Sequence, residues 1–164
     1  MPADPTPAAE HIVSIAVRVR TAGADPDGTP GSVHHGQGHV HLGIAGREFA
    51  LERDDLNGFQ QHADDTYVFG AGANVCRPDW NDPRHPPRDL DDLRRHPVYL
   101  RFIPPPDSLG DDWHLDRVDV TVTKAGGGTL SYVALPGEPS LWLGYESGLT
   151  VYLDRCGPHP VSPG

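Results

Sequence analysis

Residues 111–124 read DDWHLDRVDVTVTK, and this stretch decides the fold. Its second half alternates apolar with polar residues, which is the period of a β-strand with one buried and one solvated face. The apolar residues are Val118, Val120 and Val122. Trp113 and Leu115 have the opposite parity, so a β-bulge near residues 116–117 is needed to turn all of these side chains toward one core. The stretch therefore predicts a long strand of a β-sandwich.

The rest of the chain alternates short apolar runs with turn signals. Its 164 residues include 19 Gly and 18 Pro, which indicates many turns between short strands. Further strands are predicted at residues 12–20, 39–44, 47–51, 66–69, 98–103, 129–135, 141–144 and 149–153, the last two as a closing hairpin. Residues 89–95 predict one short helix, because their acidic start and basic end suit the helix dipole. We predict an all-β fold, an antiparallel β-sandwich of about eight or nine short strands with long loops.

The domain organisation follows from length and composition. A chain of 164 residues suits one domain with a substantial core. We predict a flexible tail over residues 1–10, a single sandwich domain over residues 11–156, and a Pro-rich flexible tail over residues 157–164. Residues 71–96 form a long irregular insertion, and such a loop is usually functional or mobile.

The charge balance excludes some partners. A formal net charge of −10 argues against nucleic acid, which needs clustered Lys and Arg, and against purely electrostatic binding to anionic lipid. No apolar run approaches the roughly 18 residues of a membrane-spanning helix, and residues 1–10 lack the pattern of a signal peptide. We expect a soluble cytoplasmic protein with Cys76 and Cys156 as reduced thiols.

Acidic residues flank three of the predicted strand ends. They form three pairs, Asp25 and Asp27, Asp64 and Asp65, and Asp111 and Asp112. Calcium takes six to eight oxygen ligands from flexible carboxylates and loop carbonyls. These residues therefore predict a calcium site if their loops gather at one end of the sandwich. The alternative is that loop aspartates cap turns and stay solvated.

Four histidines, His34, His35, His39 and His41, lie within eight residues. His39 and His41 share one strand face, so both can reach one zinc ion if the loop supplies a third ligand. The cysteines form no Cys-x-x-Cys motif, and a solvated strand face rich in His is the alternative interpretation.

The three tryptophans have different expected roles. Trp113 opens a long strand, and we predict that it packs in the core with its indole N–H bonded to a loop carbonyl. Trp80 and Trp142 are predicted contacts for a protein partner or a lipid surface, with packing of the long loop onto the sheet as the alternative. We predict no catalytic residue, since Ser147 is one position late for a nucleophile elbow and residues 126–128 lack the Lys of a phosphate-binding loop.

Residues 111–118 resemble the acidic-Trp-x-Leu-x-x-Val signature of the PLAT/LH2 domain, the β-sandwich attached to lipoxygenases, pancreatic-type lipases and polycystins. Residues 20–29 resemble the Thr-Gly and Gly-Thr-Asp loop of that family, although Pro30 stands where the family has the Asp. Further strands resembling the family follow in the required order at residues 41–46, 66–69 and 96–102, so the resemblance covers residues 11–135. Residues 141–144 resemble an extra element of some bacterial relatives.

The resemblance implies a non-catalytic binding module. Such a module docks onto a protein or lipid surface, and its loop aspartates gather at one end of the sandwich and bind calcium. The alternative function is a small zinc-dependent enzyme that uses residues 34–41.

Overall fold

The computed structural model describes residues 10–22, 39–56, 59, 62–104, 113–135, 140–144 and 148–156. Strands dominate these ranges, together with one short helix. The elements are β1 (Ile12–Thr21), β2 (His39–Ile44), β3 (Arg47–Ala50), β4 (Asp64–Gly70), α1 (Leu90–Arg95), β5 (Tyr99–Ile103), β6 (Trp113–Lys124), β7 (Thr129–Ala134), β8 (Leu141–Leu143), β9 (Thr150–Tyr152) and β10 (Asp154–Cys156). No helix in these ranges is long and apolar enough to cross a membrane.

The strands form two antiparallel sheets. One has six strands in the order β10-β7-β6-β1-β4, with β8 also paired to β6, and the other has four strands in the order β3-β2-β5-β9. The sheets share one core, because Phe49 of β3 contacts Phe69 of β4 and Phe102 of β5 contacts Trp113 of β6, with ring centroids 5.3 and 5.9 Å apart. This arrangement confirms the predicted antiparallel β-sandwich.

Strand β6 contains the predicted bulge. In its pairing with β1, Arg20 faces Arg117 and the next residue of β1, Thr21, faces Leu115, so Asp116 is the extra residue. The bulge returns the side chains on both sides of it to the core. The residues fully buried along β6 are Trp113, Leu115, Val118, Val120 and Val122.

The interior of β2 also matches the alternation in the sequence, but the start of β1 does not. Val40, Leu42 and Ile44 are buried as predicted. In β1, a register shift at its start buries Ile12, and it leaves Val13, which has the same parity as Ile15, Val17 and Val19, only half-buried. An irregularity of one residue is enough to exchange the two faces of a strand.

The predicted closing hairpin is present at its turn but wrong in its arms. Gly144 and Gly148 exchange backbone hydrogen bonds over 2.9 and 3.0 Å, but the two flanking strands do not pair with each other. Strand β8 pairs with β6 in the six-stranded sheet, whereas β9 pairs with β5 in the four-stranded sheet, so the chain crosses between the sheets. Strand β10, which the sequence did not predict, then pairs with β7. Three-residue strands carry too little alternation to specify a partner. The predicted tails are residues 1–10 and 157–164, and of these only Glu10 lies within the described ranges.

The long insertion packs along β3. Arg47 donates hydrogen bonds to the backbone carbonyls of Trp80, Asp82 and His85, and the amide N–H of Ala50 donates to the Asn81 side chain over 2.9 Å. These contacts satisfy polar groups at the edge of the four-stranded sheet, where unpaired backbone would otherwise be exposed. The helix predicted at residues 89–95 is present as α1 and follows this loop.

Candidate functional site

The candidate site lies where three strand ends of the six-stranded sheet meet. The amide N–H of Thr21 donates to the carbonyl of Ala63, and that of Ala22 donates to the carbonyl of His114, both over 2.9 Å. The last residues of β1 therefore lie between the start of β4 and the start of β6. We call this region, defined by Ala22, Ala63 and Trp113, the Asp end.

The Asp end takes its name from the positions of the three predicted aspartate pairs. Asp64 and Asp65 begin β4. The other pairs lie outside the described residues, but Asp25 and Asp27 follow Ala22 closely in the chain, and Asp111 and Asp112 directly precede Trp113. The backbone positions that flank all three pairs are thus brought together. Of the three pairs, only Asp64 and Asp65 are themselves among the described residues.

Asp64 and Asp65 lie on opposite faces of β4, because successive strand residues alternate. Asp64 is on the outer face, where Arg18 donates two hydrogen bonds to its carboxylate over 2.7 and 2.6 Å. This bonding lowers the pKa of Asp64. Asp65 is on the face of Tyr67, whose phenol pKa is raised by burial and, to a lesser extent, by the charge of Asp65. The two carboxylates therefore point to opposite sides of the sheet in this structure.

Trp113 anchors the Asp end to the core. Its ring is fully buried between Phe59 and Phe102, with centroid distances of 4.8 and 5.9 Å. The core position is confirmed, but the predicted bond to a loop carbonyl is wrong, because the indole N–H donates to the hydroxyl of Thr21 over 3.0 Å. Thr21 is 3% exposed, and β6 is joined to β1 through this buried bond.

Trp142 also lies at the Asp end, on β8. Its ring stacks on the imidazole of His114 with centroids 4.2 Å apart and an angle of 12°, and it is half-buried. His114 Nε2 lies 2.5 Å from the hydroxyl of Ser140. Trp142 is thus a packed aromatic with part of its surface open to a partner.

Trp80 lies elsewhere, on the loop beside β3. Its side chain is 70% exposed, and the guanidinium of Arg77 lies 4.8 Å from the ring centroid. An exposed Trp stacked with Arg is a composition typical of contact surfaces. The two predicted contact residues are therefore apart: Trp142 is on the six-stranded sheet, and Trp80 is on a loop bound to the edge of the four-stranded sheet.

The histidines of β2 are on the outer face of the four-stranded sheet. His39 Nδ1 lies 3.0 Å from a carboxylate oxygen of Glu52. His41 Nδ1 is shielded from water and has no hydrogen-bond partner among the described residues, and burial lowers the pKa of this imidazole. His34 and His35 lie outside the described residues. Within the described part of the chain, no group of three or more His, Cys, Asp or Glu side chains is placed to hold a metal ion.

A second polar cluster on this face was not predicted from the sequence. Glu48 accepts two hydrogen bonds from Arg101, over 2.8 and 2.6 Å, and one from the hydroxyl of Tyr99 over 2.8 Å. The bond to Arg101 is the main reason that the pKa of Glu48 is lowered to about 2. Glu48 of β3 meets Tyr99 and Arg101 of β5 across the intervening strand β2. The cluster therefore forms only after the three strands have paired, and sequence spacing gives no signal for it.

The cysteines are free thiols. Cys76 donates to a carboxylate oxygen of Asp54 over 3.0 Å, and this bond raises the pKa of the thiol. Cys156 lies on β10 in the six-stranded sheet.

Comparisons with known proteins give matches to solved structures alone. No family model and no curated protein matches this chain. The lipoxygenase variant Delta413-417:GS LOX is similar with a TM-score of 0.46 and 14% identity, over 88% of this chain and 16% of that one. The same variant in complex with arachidonate is similar with a TM-score of 0.45 and 13% identity, over 87% of this chain and 16% of that one. The chain thus spans less than a fifth of the proteins it matches. The sandwich fold itself rests on the strand pairing described above.

Proposed function

We propose that this chain is a non-catalytic PLAT-like binding module that docks onto a protein or lipid surface through the Asp end, with calcium assisting. The observation that carries the proposal is the convergence of Ala22, Ala63 and Trp113, which flank the three aspartate pairs. The resemblance of residues 111–118 to the PLAT signature supports the same function.

In this proposal the cation links an acidic protein to its partner. Calcium prefers several carboxylate oxygens, and Asp65 offers one carboxylate at the start of β4. The remaining ligands come from the pairs that flank Ala22 and Trp113, namely Asp25, Asp27, Asp111 and Asp112. Asp64 contributes only if its ion pair with Arg18 opens. With a net charge of −10, the chain gains little from an anionic surface until a cation bridges the two.

Aromatic contact completes the proposed docking. Trp142 stands beside the start of β6 and supplies apolar surface next to the cation. Trp80 supplies a second contact from the edge of the four-stranded sheet. Indole rings suit this role because they combine a large apolar area with one polar N–H.

Calorimetric titration with calcium tests the cation site. We expect wild type to bind calcium and the double variant D111N/D112N to lose binding, because two carboxylate ligands become neutral amides. D91N is the matched control, since Asp91 is on α1 and pairs with Arg94. The calcium-assisted proposal is contradicted if titration of wild type with calcium releases or absorbs no heat of binding, or if D111N/D112N binds calcium as well as D91N does.

Vesicle sedimentation separates lipid docking from protein docking. On a lipid surface, wild type should sediment with anionic vesicles in calcium and remain in solution with a chelator. W80A should weaken sedimentation without a large loss of stability, because the Trp80 side chain is 70% exposed. Calcium binding without sedimentation assigns the docking function to a protein partner.

The alternative function is a zinc-dependent enzyme that uses residues 34–41. The observation in its favour is that His39 and His41 share the outer face of β2, while His41 Nδ1 has no hydrogen-bond partner within the ranges that the structure describes. Titration with zinc decides between the two functions. If wild type binds zinc but not calcium, and H39A loses the zinc binding, the zinc-dependent enzyme replaces the first proposal.

A further inference from the structure

A groove crosses the outer face of the six-stranded sheet above β4, β1 and β6. It is open to solvent and has a volume of ≈ 480 Å³. Its polar lining consists of Arg18, Arg20, Arg117, Asp119, Thr66 and Thr121. We call it the arginine groove. Three guanidinium groups stand against two carboxylates, Asp119 in the lining and Asp64 bonded to Arg18. One positive charge is therefore in excess, on a chain of net charge −10.

Two of the arginines face each other directly. Arg20 of β1 is the cross-strand partner of Arg117 of β6. Like charges in directly opposed positions destabilise an antiparallel pair. On its other side Arg20 faces Asp64, but both oxygens of that carboxylate accept hydrogen bonds from Arg18. The pairing therefore leaves the charge of Arg20 without a bonded counterion among the described residues.

Arg20 also has an unsatisfied donor. Its Nε is shielded from water and has no hydrogen-bond partner in the described part of the chain. Buried polar groups are nearly always bonded, and an exception in a native fold requires an explanation. A ligand oxygen in the groove would supply the missing acceptor if the Arg20 side chain turned its Nε toward the solvent.

The other two arginines are held in place by ion pairs that leave some of their N–H donors unused. Arg18 bonds Asp64 through Nε and Nη2, and Arg117 bonds Asp119 through the same pair of nitrogens. A guanidinium carries five N–H donors, so the Nη1 group of each arginine is not used in its ion pair. Both side chains are thereby oriented before a ligand arrives, which lowers the entropic cost of binding.

We propose that the arginine groove binds a phosphate monoester group. A tetrahedral dianion offers more acceptor oxygens than a carboxylate does, and it matches a site with three guanidinium groups and the hydroxyls of Thr66 and Thr121. Its charge also relieves the repulsion between Arg20 and Arg117. This anion site differs from the proposed calcium site, which takes the opposite charge at the strand ends; the residue common to both is Asp64, which bonds Arg18.

The test measures phosphate binding in the presence of a calcium chelator. Inorganic phosphate should raise the unfolding midpoint of wild type above that in chloride of equal ionic strength. R20Q and R117Q should each weaken phosphate binding about tenfold or more, since a charged hydrogen-bond donor is lost. R95Q is the matched control, because Arg95 is exposed on α1. In chloride alone, R20Q should unfold at the same temperature as wild type or higher, which a merely structural arginine would not do.

A vesicle-binding experiment identifies whether the phosphate group belongs to a lipid or to a soluble ester. Sedimentation with vesicles that contain a phosphorylated inositol lipid, lost in R20Q, supports the proposal and assigns a lipid headgroup. Binding of inorganic phosphate without such sedimentation supports the proposal and assigns a soluble phosphate ester. If phosphate stabilises wild type no more than chloride does, or if R20Q and R117Q bind it as R95Q does, the proposal is overturned.

Discussion

Replacing Thr21 by Val tests the buried bond that joins β1 to the start of β6. The substitution keeps the shape of the side chain and removes the hydroxyl that accepts the Trp113 indole N–H over 3.0 Å. Thr21 is 3% exposed and Trp113 is 0% exposed, so water cannot replace the lost acceptor. An unpaired buried donor costs about 1–3 kcal/mol. We expect T21V to lower the free energy of unfolding by this amount.

Urea denaturation followed by circular dichroism measures the loss. T129V is the matched control, because Thr129 begins β7 and is exposed, and such surface changes stay within about 0.5 kcal/mol. On a W113F background the cost of T21V should fall by about 1 kcal/mol, since no indole N–H remains to be satisfied. A T21V variant as stable as T129V, or a cost unchanged by W113F, would refute the role of this bond.

Three other changes test local features. The pKa of Glu48 is lowered from 4.5 to about 2, mainly by Arg101. The ionised Glu48 side chain therefore contributes its full stabilisation at pH values above the pKa of Glu in the unfolded chain, and this stabilisation is lost as the pH falls toward 2. The melting temperature of wild type should therefore exceed that of E48Q most at neutral pH, and the difference should shrink between about pH 5 and about pH 2.5. Asp89 caps α1 by accepting from the third residue of the helix, and D89A should lower the free energy of unfolding by about 1 kcal/mol in urea denaturation. Gly43 lies under the ring of Tyr99, where a Cβ would come within 2.1 Å of the ring, so G43A should cost about 1–3 kcal/mol in the same assay, and a G43A variant as stable as wild type would contradict this packing.

The strand interiors can be predicted from the sequence because their signal is local. The apolar residues of β2 and of the second half of β6 repeat with period two, and that period is the pleat itself. The bulge at Asp116 can be predicted for the same reason, since the parity changes between Leu115 and Val118. Each of these inferences needs no knowledge of the partner strand.

Strand partners in the last third of the chain cannot be predicted in this way. The segments that become β8 and β9 are close in sequence, but they join different sheets. Their partners are chosen by which edge the core leaves open, namely the side of β6 next to Trp113 and the side of β5 next to Leu100. That choice depends on elements far away in the chain.

The candidate site also has one part that can be predicted from the sequence and one part that depends on tertiary structure. The sequence shows the aspartate pairs and the strand period. It does not show that Asp64 and Asp65 lie on opposite faces, because that requires β4 to begin at Asp64. The sequence gives no sign that Arg20 faces Arg117, because the two residues are 97 positions apart in the chain and meet only through the pairing of β1 with β6.

The sequence by itself determined an antiparallel sandwich, its buried faces and the acidic residues at its strand ends, since alternation and turn chemistry act over a few residues. The tertiary structure alone decided which strands pair, that Thr21 receives the Trp113 N–H, and that three arginines line one groove. Those features depend on register between distant segments, and register is set by how both sheets close on one core.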